Sequence, residues 1–70
     1  MPLVFAEENI ELTIFKVLVE EKLKKHLQSL GIVVNGKITI LSRSNGSVIC
    51  KVKDGRMALD SNIATKIFVK

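Results

Sequence analysis

The chain has 70 residues, a formal net charge of +4, one cysteine, one histidine and 47% apolar residues, enough for one small domain with a hydrophobic core. Cys50 has no second cysteine to pair with, so an internal disulfide is excluded, and Cys50 plus His26 is a poor zinc inventory, so the core has to be hydrophobic. With 26% charged residues and no low-complexity tract the chain is not of the disordered class.

The longest apolar run, Pro2 to Ala6, is far too short to cross a bilayer. Glu7 and Glu8 come too early for a cleavable export signal, and the unpaired thiol suits a reducing compartment, so the expected location is the cytoplasm. Charge is uneven. Residues 1–21 set five glutamates against Lys16; residues 22–70 set eight lysines and two arginines against Asp54 and Asp60. Such a basic excess serves an acidic partner, nucleic acid or an anionic surface, the plain alternative being a solvated basic face.

In chain order, Leu3 to Ala6 reads as a short strand or extended arm. Glu11 to Val19, β-branched and apolar apart from Lys16, reads as a strand with one buried face and Phe15 in the core. The period then changes. Leu23, Leu27 and Leu30 fall on one stripe of a helix over about 19–30, and would be buried if the helix packs on the sheet. Glu20 and Glu21 suit its first turn, and Gly31 is placed to end it in the left-handed conformation.

The remainder reads as β. Asn35-Gly36 is a turn before a strand at Lys37 to Ser42, and Ser42 to Ser47 closes tightly around Asn45-Gly46. Asp54-Gly55 is a second hairpin signal. Val48, Cys50 and Val52 alternate inward, followed by Met57 and Leu59, with Arg56 and Ala58 outward. Asp60 caps a helical turn near 61–64, and Ile67-Phe68-Val69 is the last strand. The elements describe a mainly β fold: a small, partly open barrel of about five to six strands with one helix inserted early.

The stretch Leu27-x-x-Leu30-Gly31-Ile32-x-x-x-Gly36-x-x-x-Ile40 resembles the ferrous iron transport protein A (FeoA) family. Residues 52–69 are similar to that family's closing pattern, with Leu59, Ala64, Ile67 and Val69 at its apolar positions. The resemblance covers about residues 10–70 and implies one SH3-like barrel domain over 1–70. Leu27, Leu30, Gly31, Gly36, Leu59 and Ala64 are then its structural motif positions. It further implies a cytoplasmic accessory role with the transporter FeoB, a membrane protein with a GTP-binding domain. The same fold occurs in iron-responsive repressors, where a DNA-binding portion precedes it. Two departures stand out: Ser42 to Ser47 is shorter than the family's usual loop, and Val34-Asn35 stands where a proline is common.

No nucleophile with a base and an orienting group is recognisable, so catalysis is not expected. His26 reads as a surface histidine and Cys50 as a small core residue. Adjacent pairs such as Glu7-Glu8 and Glu20-Glu21 splay, which makes a poor ferrous site, and no cofactor or metal ligand set is expected. Without Tyr or Trp, polyproline recognition is not expected, and three Phe make a meagre stacking platform for nucleic acid.

A protein-binding surface remains. Alternation puts Leu41, Ile49 and Phe68 outward, beside Arg43, Lys51, Lys53 and Arg56; the other reading is that barrel curvature covers Leu41 and Ile49. The expected partner is a FeoB-type transporter, with the membrane reached only through it. The alternative is a small basic barrel that binds nucleic acid or takes part in metal-dependent transcriptional regulation. Free edge strands make weak homo-oligomers a further expectation.

Overall fold

The computed structural model describes residues 1–53 and 55–70. Five strands form one antiparallel sheet in the order β4-β3-β2-β1-β5. They are β1 (Glu11–Val17), β2 (Lys37–Ser44), β3 (Ser47–Val52), β4 (Gly55–Asp60) and β5 (Ile67–Val69). Helix α1 (Glu21–Ser29) lies between β1 and β2, and the single turn α2 (Ser61–Ala64) between β4 and β5.

The sheet curls without closing, because β4 and β5 are its two ends and do not pair. α2 crosses the gap, packed on β3, β4 and the N-terminal turn. Asp60 Oδ1 caps α2 by accepting from the Asn62 N–H at 2.7 Å, and the Ser61 N–H donates to the Gly46 carbonyl at 2.9 Å. Beyond β5, Met1 and Val69 exchange backbone hydrogen bonds of 2.8 and 2.9 Å, a sixth strand reduced to one residue.

Residues Leu3–Phe5 are a 3-10 turn where a strand or arm is expected. Pro2, with φ −63°, starts it, and the Ala6 N–H donates back to Leu3 at 3.0 Å. β1 stops at Val17 because its partner does: Leu18 N–H meets the Lys66 carbonyl, and β5 begins only at Ile67. β2 runs two residues beyond the expected Ser42, since Asn45-Gly46 alone makes the turn, with both residues at positive φ (45° and 80°) and Ser44 opposite Ser47. Val52 opposes Gly55 across the next hairpin; of the Asp54-Gly55 signal, Asp54 lies outside the described residues.

α1 is shorter than the expected 19–30 and ends in a Schellman arrangement. Gly31 takes φ +97°, its N–H donates to Gln28, and Ile32 N–H reaches back to Leu27 at 2.9 Å. That bond sets Leu27 and Ile32 together in the core, both almost fully buried. Leu30, one residue before the reversal, is 39% exposed, so only Leu27 and part of Leu23 from the leucine stripe pack on the sheet.

The core is wholly apolar among the described residues. Ile14, Val17, Ile38, Ile40, Val48, Cys50, Val52, Leu59, Ile67 and Val69 come from the strands, and Leu3, Ala6, Leu27, Ile32 and Ala64 seal the ends.

Candidate partner-binding face

Strand register lines up one transverse row on the outer side of the sheet. Glu11 opposes Thr39, Thr39 opposes Lys51, and Lys51 opposes Arg56, so four strands contribute to it. Cross-strand partners share a face, and the neighbouring row holds Ser42, Ile49 and Ala58. Lys37 lies two residues before Thr39, and its Nζ donates to Thr13 Oγ1 at 2.7 Å. Lys53 follows Lys51 by two and is exposed in the turn after β3.

Ile49, Lys51 and Arg56 therefore come together on this face, with Lys53 at its margin. Leu41 is the extra residue of a β-bulge, where the register passes from Ile40 opposite Cys50 to Ser42 opposite Ile49. Leu41, Ile49 and Phe68 are all half-buried rather than freely exposed.

Arg43 is on the other side. The bulge flips the parity, so Arg43 opposes the buried Val48 and projects past the rim of the core. There its guanidinium donates to the Val4 carbonyl from Nε (3.2 Å) and Nη2 (2.9 Å), to the Ala6 carbonyl from Nη2, and to Glu8 Oε2 from Nη1 (3.3 Å). It is the one ion pair among the described residues, and it ties the N-terminal segment to β2.

A bulge in β1 produces a second correction. Register shifts between Ile14 and Lys16, which leaves Phe15 and Lys16 both outward while Ile14 and Val17 are buried. Phe15, expected in the core, is 41% exposed. Its ring is tilted against Phe68 at 6.3 Å, with Lys70 Nζ 5.8 Å from its centroid.

Between the cationic row and the α1–β2 loop runs an open groove of about 600 Å³. Lys37, Lys51 and Lys53 line it with Glu11 and Thr39, and Val33, Asn35 and Gly36 form the loop wall. The loop is held close: Asn35 N–H and Ile14 C=O meet at 2.7 Å, and Ile14 N–H donates to Gly36 at 2.9 Å. Sequence reasoning missed Lys37 and this wall; alternation marks Lys37 as outward, but nothing in the pattern sets residues 31–36 beside Ile14 and Val52.

Of the remaining motif positions, Leu59 and Ala64 are buried. A Cβ on Gly36 would stand 3.0 Å from the Val33 carbonyl oxygen, so the wall needs glycine for space. His26 is exposed in the last turn of α1. Cys50 is buried, and desolvation pushes its thiol pKa up to about 11. No group of three or more His, Cys, Asp or Glu among the described residues could hold a metal ion.

This arrangement has relatives. A solved structure described as the iron uptake regulatory protein FeoA superposes with a TM-score of 0.88, at 22% identity, over 100% of this chain and 95% of that one. The chain also superposes on 35% of a manganese-dependent transcriptional repressor, with a TM-score of 0.84 and 19% identity. These likenesses show the fold, a small SH3-like barrel left open on one side. In sequence, a curated protein of Methanocaldococcus jannaschii named as Fe(2+) transport protein A is 32% identical over 69 residues, covering 99% of this chain and 84% of that protein. The FeoA domain family model matches residues 1–70. With a family match along its whole length and a barrel of the same topology, the chain belongs to the FeoA family.

Proposed function

We propose that this chain is a small cytoplasmic accessory protein of ferrous iron uptake that binds the cytoplasmic GTP-binding domain of a FeoB-type transporter. Residues 1–70 act in this reading as one FeoA-like domain. The observation that carries it is the family match over 1–70, together with the relative named for Fe(2+) transport.

The geometry supports action by contact. Ile49, Lys51, Lys53 and Arg56, with Leu41 at the bulge, offer a mixed apolar and cationic face for an acidic partner. Arg43 belongs to the scaffold instead. Among the described residues no helix is long and apolar enough to cross a membrane, and the transporter would be the link to the bilayer.

A second reading, transcriptional regulation or nucleic-acid binding, draws on the likeness to the repressor. Fold alone does not choose between them. An amide chemical-shift titration with the isolated transporter domain, run beside a DNA duplex at two salt concentrations, does. Shifts within residues 37–56 for the transporter domain alone support the accessory role. Salt-sensitive shifts with DNA, and none with the transporter domain, remove it, because phosphate contacts give a steep salt dependence.

A further inference from the structure

We infer that the groove between the α1–β2 loop and the outer sheet face binds an extended acidic peptide segment. The inference rests on the reading above in taking that segment to belong to the protein partner.

Charge complementarity and the shape of the groove carry it. Lys51 near the end of β3 and Lys53 in the turn that follows both line the groove, and both are exposed. Lys37 on β2 adds a third cation beside them, and among the described residues Glu11 is the one acidic side chain in the lining. An extended peptide laid along the groove presents its carboxylates to these three ammonium groups and its apolar side chains to the loop wall, where Val33 is exposed. The groove is open and about 600 Å³ in volume, room for several residues of chain rather than a single anion.

The same lining argues against nucleic acid. Among the described residues no aromatic side chain faces the groove, so bases have nothing to stack on, and Arg56 is outside the lining.

The test uses the full chain and a fluorescein-labelled hexapeptide alternating Glu and Val, with its Gln/Val counterpart, an oligothymidylate of similar length, and the transporter domain. The Glu/Val peptide should bind with amide shifts in residues 31–39 and 51–53, and the Gln/Val peptide should not. Lys51→Glu/Lys53→Glu should weaken it at least about tenfold, roughly 1.4 kcal/mol. Lys22→Glu/Lys25→Glu, the same charge change on exposed positions of α1, should weaken it less than about twofold. Lys51→Gln/Lys53→Gln should fall between.

Equal losses in the two reversal variants would reduce the effect to net charge and overturn the inference. Tighter binding of the oligothymidylate through the same lysines, or self-association that disappears with them, would also overturn it. If the transporter domain binds and the peptide does not compete, the groove inference falls while the accessory role stands. If the peptide fills the groove and the transporter domain binds nowhere, the accessory role falls and the acidic-peptide specificity stands.

Discussion

Arg43 Nη2 and the Val4 carbonyl oxygen meet at 2.9 Å across 39 residues of sequence, and this contact turns the N-terminal segment into part of the barrel. Leu3 and Ala6 on that segment are buried, yet its chain connections to the sheet are few: Met1 with Val69, and Asn9 N–H with the Ile40 carbonyl. The planar guanidinium holds Val4, Ala6 and Glu8 at once with four hydrogen bonds from three nitrogens, a fixed spread of donors that a compact ammonium does not match.

Replacing Arg43 with alanine should cost about 1–2 kcal/mol, because hydrogen bonds to a charged donor are lost at a half-exposed site. Arg43→Lys should recover less than half of that. Urea midpoints measure the cost, and hydrogen exchange at Ala6 and Asn9 should accelerate more than at Cys50. Uniform acceleration would mean that Arg43 supports the whole barrel and not the N-terminal segment.

Arg43 also marks where the sequence pattern stops being legible. Inward and outward positions were readable along β3 and β4, where Val48, Cys50, Val52 and Leu59 alternate without interruption. In β1 and β2 a single bulge each shifts the parity, and an added residue leaves no mark on an alternating pattern. Phe15 and Arg43 were misplaced for that one reason. The helix stop at Gly31 and the turn at Asn45-Gly46 were legible because both require positive φ, which few residue types tolerate. The groove was not, since it depends on residues 31–36 lying beside Ile14 and residues 51–53, both distant in sequence.

The two motif glycines should respond to alanine for different reasons. At Gly31 a Cβ would meet Val52 Cγ2 at an ordinary 3.5 Å, so the cost comes from φ +97° and should be about 1–2 kcal/mol. Gly31→Asn, tolerant of that region, should cost less than Gly31→Ala. At Gly36 the obstacle is the Val33 carbonyl oxygen at 3.0 Å, and Gly36→Asn should be no better than Gly36→Ala. Thermal unfolding of the four variants separates the cases; matching Asn and Ala values at Gly31 would contradict a conformational origin.

The leucine stripe supplies a second contrast. Leu27 is 2% exposed and packs in the core, so Leu27→Ala should cost about 2–5 kcal/mol through lost burial and the cavity left behind. Leu30 is 39% exposed, and Leu30→Ala should stay within about 1 kcal/mol. Chemical denaturation of both variants checks this, and comparable losses would place Leu30 in the core in solution.

Cys50 should make the protein less stable as the pH rises through the alkaline range. Its neighbours across the sheet are Ile40 and Met57, and burial raises the thiol from 9.0 to about 11. Well below pH 9 the thiol keeps its proton folded and unfolded, and contributes little pH dependence. Between 9 and about 11 the unfolded chain gives up that proton first, so it binds fewer protons than the folded state and stability falls with rising pH. Lysines titrate in the same window, which makes the comparison with Cys50→Ala the informative one; there is no tyrosine to confuse it. Cys50→Ala should start less stable by a roughly constant cavity cost and show the shallower decline between pH 8 and 10.5 in urea midpoints. Alkylation at pH 8 should likewise be slow for the folded protein and fast once it is unfolded, since the thiolate is the reactive form. Equal slopes in the two proteins, or rapid alkylation of the native state, would mean that Cys50 ionises as freely inside the barrel as outside it.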